Sequence, residues 1–352
     1  MDLIGEANEL LAVGRAHDAA ALLREAIASG RAGPLARLAY GRALLAAGLN
    51  EQALIELREL RHLLPSSAEA ATALGDALLA QEALPVAIAE YQRALRLDSS
   101  CQAAELGIAR AWLAAGEWEK AQPHLAALDR SPAVSELETQ IAEMRALPRS
   151  PEDYVRHLFD DFAHQYDARM NGPLQYRAPA NLLEMHKLVG APAPTDILDL
   201  GCGTGLAGLA FKPLARSLTG VDLSPRMIEL ARARAVYDAL HVADIEDFLA
   251  RDKASYGLIL AADVLVYLGD LGPIMCGVCE RLRPGGFFIF TTERSPEKDF
   301  ELGEKRRWRH SEAYLKRIAA AHGLELAGLI ACSPRLEAGA PVEGFCVSLV
   351  KK

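Results

Sequence analysis

The sequence predicts an α/β domain with a doubly wound parallel sheet, preceded by an all-helical array of repeats. Three observations lead there. The alanine- and leucine-rich first segment recurs with a 34-residue period. The stretch Ile197-Leu198-Asp199-Leu200-Gly201-Cys202-Gly203-Thr204-Gly205 reads as a buried strand that turns through three glycines into a helix. Beyond it, short apolar runs alternate with helical stretches, the order of strand–helix–strand units around a parallel sheet. With 352 residues, 51% of them hydrophobic, there is material for two cores.

The repeat register holds over four units. Ala7, Gly41, Gly75 and Ala109 share one column, as do Leu10, Leu44, Leu78 and Trp112. Ala19, Ala53, Ala87 and Ala121 share another, and Leu23, Leu57, Tyr91 and Leu125 a fourth. Small residues at fixed positions let two helices cross closely, while Gly14, Gly48 and Gly116 mark the turns. A further helix near Val134 to Ala146, carrying Glu136, Glu138 and Glu143, suits a polar cap. These residues are similar to tetratricopeptide repeats, which implies a stacked array with a concave face for a protein partner; a purely stabilising or dimerising role fits the same helices. Residues 1–148 hold 20 acidic against 13 basic side chains, so that partner is expected to be basic or polar.

Leu147-Pro148-Arg149-Ser150-Pro151 reads as a linker, dividing the chain into domains 1–147 and 151–352. Next, Phe159, Phe162 and Tyr166 fall on one helix face, a spacing that core packing also explains.

The glycine stretch brings backbone close to a ligand and opens a helix whose first N–H groups are unpaired. Gly203 to Gly208 also satisfies the spacing of a dinucleotide fingerprint. Asp199, however, stands two residues before the first glycine, where it would repel a pyrophosphate and attract a cationic ligand. S-adenosylmethionine, with its ammonium and sulfonium, is such a ligand. The run Asp199 to Gly205 resembles the first motif of class I S-adenosylmethionine-dependent methyltransferases, which implies a seven-stranded Rossmann-like sheet. The segment Phe159 to Asp167 further resembles the lid helix of the ubiquinone/menaquinone-type members.

The following elements fit. Ser217 to Asp222 is a second strand ending in an acid able to accept ribose hydroxyls, and Ser224-Pro225 opens a helix. Leu240 to Ile245 is a third strand; by resemblance Asp244 meets the adenine amino group and the Ile245 backbone the ring. The fourth, Tyr256 to Ala262, is continuously apolar, as a strand covered on both faces must be. Leu282 to Gly286 breaks a helix before the fifth strand, Phe287 to Thr291, and Gly328 to Pro334 with Glu343 to Val350 form a final hairpin. Lys305 to His310 reads as a solvated basic loop at the substrate mouth.

The resemblance implies a cofactor set of Tyr166, Asp199, Gly201, Cys202, Gly203, Thr204, Gly205, Asp222, Leu223, Met227, Asp244, Ile245 and Ala261, with Tyr176, Arg177 and Tyr267 toward the acceptor. Methyl transfer needs chiefly alignment, and a base only for a protonated acceptor. His310 and Asp263 are the catalytic candidates. Ala262-Asp263-Val264-Leu265 lacks the two prolines and aromatic expected of methyltransferases acting on nucleic acid bases, and a net charge of −9 gives no bulk attraction to nucleic acid or anionic membrane. No secretion signal or membrane-length apolar run is present, so the expected location is cytoplasmic with free thiols. Cys276 and Cys279 lack a second ligand pair, so no metal is expected, and both read as buried on one helix face. The alternative function is an interaction scaffold that keeps a non-catalytic cofactor fold.

Overall fold

The protein is described as a computed structural model that covers residues 2–303, 306–337 and 339–352, with the side chains at 161 and 171 outside the description. It divides into two compact units, Met1–Ala146 and Leu147–Lys352.

The first unit consists, among the described residues, of α1 (Leu3–Ala12), α2 (Ala16–Ala28), α3 (Pro34–Ala46), α4 (Asn50–Leu63), α5 (Ala68–Leu79), α6 (Leu84–Leu97), α7 (Gln102–Ala114), α8 (Trp118–Ala126) and α9 (Pro132–Ala146). Each helix packs on the next, and α3, α5 and α7 also touch in succession. The repeat columns become the core: Ala19, Ala53, Ala87 and Ala121 are fully buried, as are Leu23, Leu57 and Tyr91. The Tyr91 ring fills the space left by Gly75 and Gly107, where a Cβ would collide with it. Its hydroxyl donates to Asp76 Oδ1 at 2.7 Å. Helix α9 buries Val134, Leu137 and Ile141 and leaves Glu136, Glu138 and Glu143 exposed, the one-sided pattern of a cap.

The second unit opens with α10 (Glu152–Asn171) and α11 (Ala178–Val189). Then come β1 (Thr195–Leu200), α12 (Leu206–Phe211), β2 (Ala215–Asp222), α13 (Pro225–Ala233), β3 (Ala239–Val242), α14 (Ile245–Arg251), β4 (Tyr256–Ala261), α15 (Gly272–Arg281) and β5 (Leu282–Arg294). It closes with β6 (Phe300–Leu302), β7 (Trp308–His310), α16 (Glu312–Ala321), β8 (Leu324–Cys332), β9 (Leu336–Glu337), β10 (Ala340–Pro341) and β11 (Gly344–Lys351). The main sheet runs β3-β2-β1-β4-β5-β11-β8. Neighbours are parallel from β3 to β5, and β11 is antiparallel to both β5 and β8. This is the Rossmann-like seven-stranded sheet the sequence implies. Its strand order reverses between β1 and β4, so their carboxyl ends open the crevice where such sheets bind ligands.

The proline-flanked segment after Ala146 lies at the boundary of the two units and is bound to the second: Gly269 and Asp270 donate backbone N–H to Pro148 O at 2.8 and 3.0 Å, and Ser150 N–H donates to Tyr267 O at 2.8 Å. Prolines there end a helix, but the carbonyls around them remain available as acceptors. Two expectations are corrected here. The basic stretch is no solvated loop. Trp308–His310 pairs with β5 and β6, His310 is fully buried, and Arg306 lies over the Tyr154 ring; Lys305 lies outside the described residues. Finally, Cys276 is exposed and Cys279 half-buried, although all six cysteines are unpaired. Among the described residues no helix is long and apolar enough to cross a membrane.

Candidate active site

Strand β1 hands the chain to Gly201, Gly203 and Gly205, with φ of 64°, 53° and 93°. L side chains rarely adopt that region, and at Gly201 a Cβ would also strike Val264. A Cβ at Gly203 would meet nothing nearer than the Tyr166 ring at 3.9 Å, so its backbone lies open toward α10. Gly201 and Gly203 form one wall of a cavity that is open to solvent. Asp222, Leu223, Asp244 and Ile245 continue that wall, and Tyr166, Asp263 and Tyr267 line the cavity as well.

Asp222 ends β2 beside the bend. Its Oδ2 accepts the Gly203 N–H at 2.8 Å and its Oδ1 the Ser224 N–H at 2.9 Å, so the acid and the glycine turn fix each other. Burial raises its pKa to about 6 against the lowering effect of those bonds. Asp244 caps α14, its Oδ1 accepting N–H from Glu246 and Asp247 at 2.9 and 3.2 Å. Its Oδ2 takes Arg149 Nη2 at 2.6 Å, and Arg149 also reaches Glu246 at 2.8 Å. Helix α10 is tied across the bend from the other side. Ser224 Oγ donates to Asp160 at 2.5 Å, Thr204 Oγ1 donates to Asp167 at 2.6 Å, and Arg234 pairs with Asp167.

Asp199 does not face the cavity. It is fully buried beneath the bend, where Tyr237 Oη donates to its Oδ2 at 2.7 Å; burial pushes its pKa up to about 7. The direct contact with a ligand cation expected from sequence is therefore corrected: the carboxylate supports the loop from below. Met227 and Ala261 are fully buried in the core, and Ala262 rather than Ala261 reaches the cavity. Cys202, Thr204 and Gly205 are buried in the bend itself.

At the carboxyl end of β4, Asp263 adopts φ 60°, and its N–H donates to Thr291 Oγ1 at 2.8 Å. Arg335, only 1% exposed, donates to Asp263 Oδ1 at 2.5 Å and with its other arm to Glu293. Arg307 Nη1 stands 3.9 Å from Asp263 Oδ2 and 3.8 Å from Glu293. Burial raises Asp263 to about 6 and Glu293 to about 7. Tyr176 Oη donates to Ala262 O at 3.2 Å behind the cavity wall. Arg177 is exposed and contributes its backbone N–H to Pro334 O, outside the cavity. Phe159 packs edge-on to Tyr166 and Tyr267, at 6.1 and 5.6 Å.

His310 is removed as a base. Its Nδ1 lies 2.6 Å from Thr292 Oγ1 and its Nε2 3.1 Å from Gly269 O, with the ring stacked on Tyr314. Burial lowers its pKa to about 4, so it is a neutral structural side chain. Sequence reasoning missed Arg149, Tyr237, Glu293 and Arg335. Only Glu293 carried a signal, as an acid just past the apolar run of the fifth strand.

Residues 198–290 match the methyltransferase domain family, and residues 4–68, 51–101 and 72–135 match the tetratricopeptide repeat. Among curated proteins the chain is similar to ubiquinone biosynthesis O-methyltransferase of Xanthomonas axonopodis pv. citri, with 29% identity over 110 residues, 30% of this chain and 46% of that one. It is also similar to malonyl-[acyl-carrier protein] O-methyltransferase of Xylella fastidiosa, with 33% identity over 142 residues, 39% of this chain and 47% of that one. The chain thus spans about half the length of these curated relatives. Among solved structures it is similar to magnesium protoporphyrin IX methyltransferase from Synechocystis PCC 6803, at 16% identity and a TM-score of 0.44 over 57% of this chain and 97% of that one. The family matches place tetratricopeptide repeats within residues 4–135 and a methyltransferase domain over residues 198–290, the latter on a Rossmann-like sheet.

Proposed function

We propose that the second unit binds S-adenosylmethionine and transfers its methyl group to an acceptor, and that the repeats recruit a protein partner or the acceptor itself. The observation that carries this reading is the joining of Asp222 to the open backbone of Gly203 on one cavity wall. The cavity fits the donor: its glycine wall presents backbone rather than side chains, and carboxylates able to accept hydroxyl and amino donors stand beside it. Asp222 would take the ribose hydroxyls, Asp244 and the Ile245 backbone the adenine, and Tyr166 would close over the bend. When bound, the donor supplies a sulfonium methyl whose C–S electron pair leaves with sulfur as the acceptor bonds to carbon.

The protein's part is alignment in a site shielded by α10, an effect worth up to about 7–11 kcal/mol. Space beside the glycine wall, reaching Asp263 and Tyr267, favours an active enzyme over a scaffold with a closed fold. The curated relatives are named as O-methyltransferases, which supports an oxygen acceptor here. Six unpaired cysteines support a reducing, cytoplasmic setting. The test is transfer of labelled methyl by the full chain into a cell extract; label in a product supports the reading, and none at any donor concentration contradicts it.

A further inference from the structure

The far end of the cavity holds four charged groups that the cofactor reading does not use. Asp263, Glu293, Arg307 and Arg335 come from the ends of β4 and β5 and from the segments preceding β7 and β9. Arg335 bridges the two carboxylates with the two arms of its guanidinium, a geometry that a lysine cannot reproduce. Arg307 faces the same two carboxylates at 3.8–3.9 Å, and its Nη1 is sealed from solvent with no hydrogen bond among the described residues. Arg309 Nε joins them 3.6 Å from Glu293 Oε2, so the carboxylates face cations from three arginines, and neither Arg307 nor Arg335 lines the cavity.

What does line it is Asp263. Arg335 occupies its Oδ1, while among the described residues its Oδ2 has no hydrogen-bond donor. Its backbone is also pinned, in the left-handed φ region that non-glycine residues rarely adopt. Around it stand Tyr166 and Tyr267, with Phe159 edge-on to both. An ionised carboxylate oxygen can only accept. A second carboxylate placed there would meet it as a like charge, whereas a neutral O–H or N–H would complete it.

Resting on the methyltransferase reading, we propose that the acceptor's reacting group enters as a neutral hydrogen-bond donor received by Asp263 Oδ2, and that Arg335 is the positioning residue holding that carboxylate. The transfer then balances. The acceptor atom's lone pair forms the bond to the methyl carbon, the C–S pair leaves with sulfur, and the acceptor proton passes to Asp263 and on to solvent. Burial raises Asp263 and Glu337 adds to that, while Arg307 opposes it and the bond from Arg335 favours the carboxylate; the phenols of Tyr166 and Tyr267 face the same space.

The experiment uses 4-nitrophenol as a probe on the full chain saturated with S-adenosylhomocysteine, at the pH where the free probe is half ionised. Binding beside Asp263 selects the protonated probe by about tenfold or more, bleaching its visible phenolate band. Asp263→Asn abolishes the bleach, and Arg335→Lys cuts it to less than half, both with S-adenosylhomocysteine affinity within about twofold of the parent. A band that grows, an unchanged band at millimolar probe, or a bleach that survives Asp263→Asn overturns the proposal. A bleach unaltered by Arg335→Lys overturns the role of Arg335. Failure of S-adenosylhomocysteine to bind at all, read by calorimetry beforehand, instead overturns the cofactor reading on which the proposal rests.

Discussion

Tyr237 Oη donates to Asp199 Oδ2 at 2.7 Å beneath the glycine bend, and nothing but this phenol and backbone supports that buried carboxylate among the described residues. Asp199 Oδ1 has no partner there at all. Tyr237 also lies against Gly205 and fills the space beside Gly208, where a Cβ would collide with its ring. One side chain thus holds both the acid and the loop.

Tyr237→Phe keeps the ring and removes the donor. It should destabilise the second unit by about 1–3 kcal/mol, the cost of leaving a buried acceptor unsatisfied. Urea unfolding checks this; an unchanged midpoint would count against the pairing.

The pH dependence of donor binding follows from Asp222 and Asp199. Burial raises them to about 6 and 7, so near pH 6 each is partly protonated in the free protein. If Asp222 accepts the ribose hydroxyls as proposed, binding favours its ionised form, while the cation above the bend acts on Asp199 only through the loop, so binding releases protons and affinity rises with pH up to about 7. Calorimetry at pH 6 in two buffers of different ionisation enthalpy should show net proton release. The linked stability has the opposite slope. Both folded values lie above the unfolded ones, so these acids favour the folded state more as pH falls from about 7 toward 4.

His310 works the other way. Its folded pKa of about 4 lies below the unfolded value, so its contribution to stability is full above about pH 6.5 and is lost as pH falls toward 4. Because both ring nitrogens face Thr292 and Gly269, His310→Gln should lower stability by about 1–3 kcal/mol while leaving the pH profile of kcat unchanged. A lost acidic limb in that profile would return His310 to the chemistry as a base.

In the repeats, Gly107→Ala would drive a methyl into the Tyr91 ring, which is fully buried and tied to Asp76 and cannot swing aside. Overpacking of this kind costs about 1–3 kcal/mol. Hydrogen exchange over α5 to α7 should quicken, with α1 and α2 little changed.

The fold was legible because its signals are local. A fixed period writes each buried column of the repeats into the chain, and the run from Ile197 to Gly205 encodes strand, turn and helix in consecutive residues. Asp222 could be read for the same reason, since it ends β2, and Asp244, since it caps the helix that follows β3. Arg335 and Tyr237 could not: each meets its carboxylate across 72 and 38 residues through pairings no periodicity records. Asp199 shows the limit most clearly. The sequence places it beside the bend, but the side of the strand on which it emerges is set by packing against Tyr237, and that side is the interior. The basic stretch misled likewise, because β7 finds its partner only through the register Glu293 to Arg309.

The most direct measurement is titration calorimetry of the full chain with S-adenosylhomocysteine. One site per chain with micromolar affinity is expected, weakened more than tenfold by Asp222→Ala. No heat with the parent protein, or equal affinity in Asp222→Ala, would contradict the assignment of the glycine-walled cavity to the methyl donor.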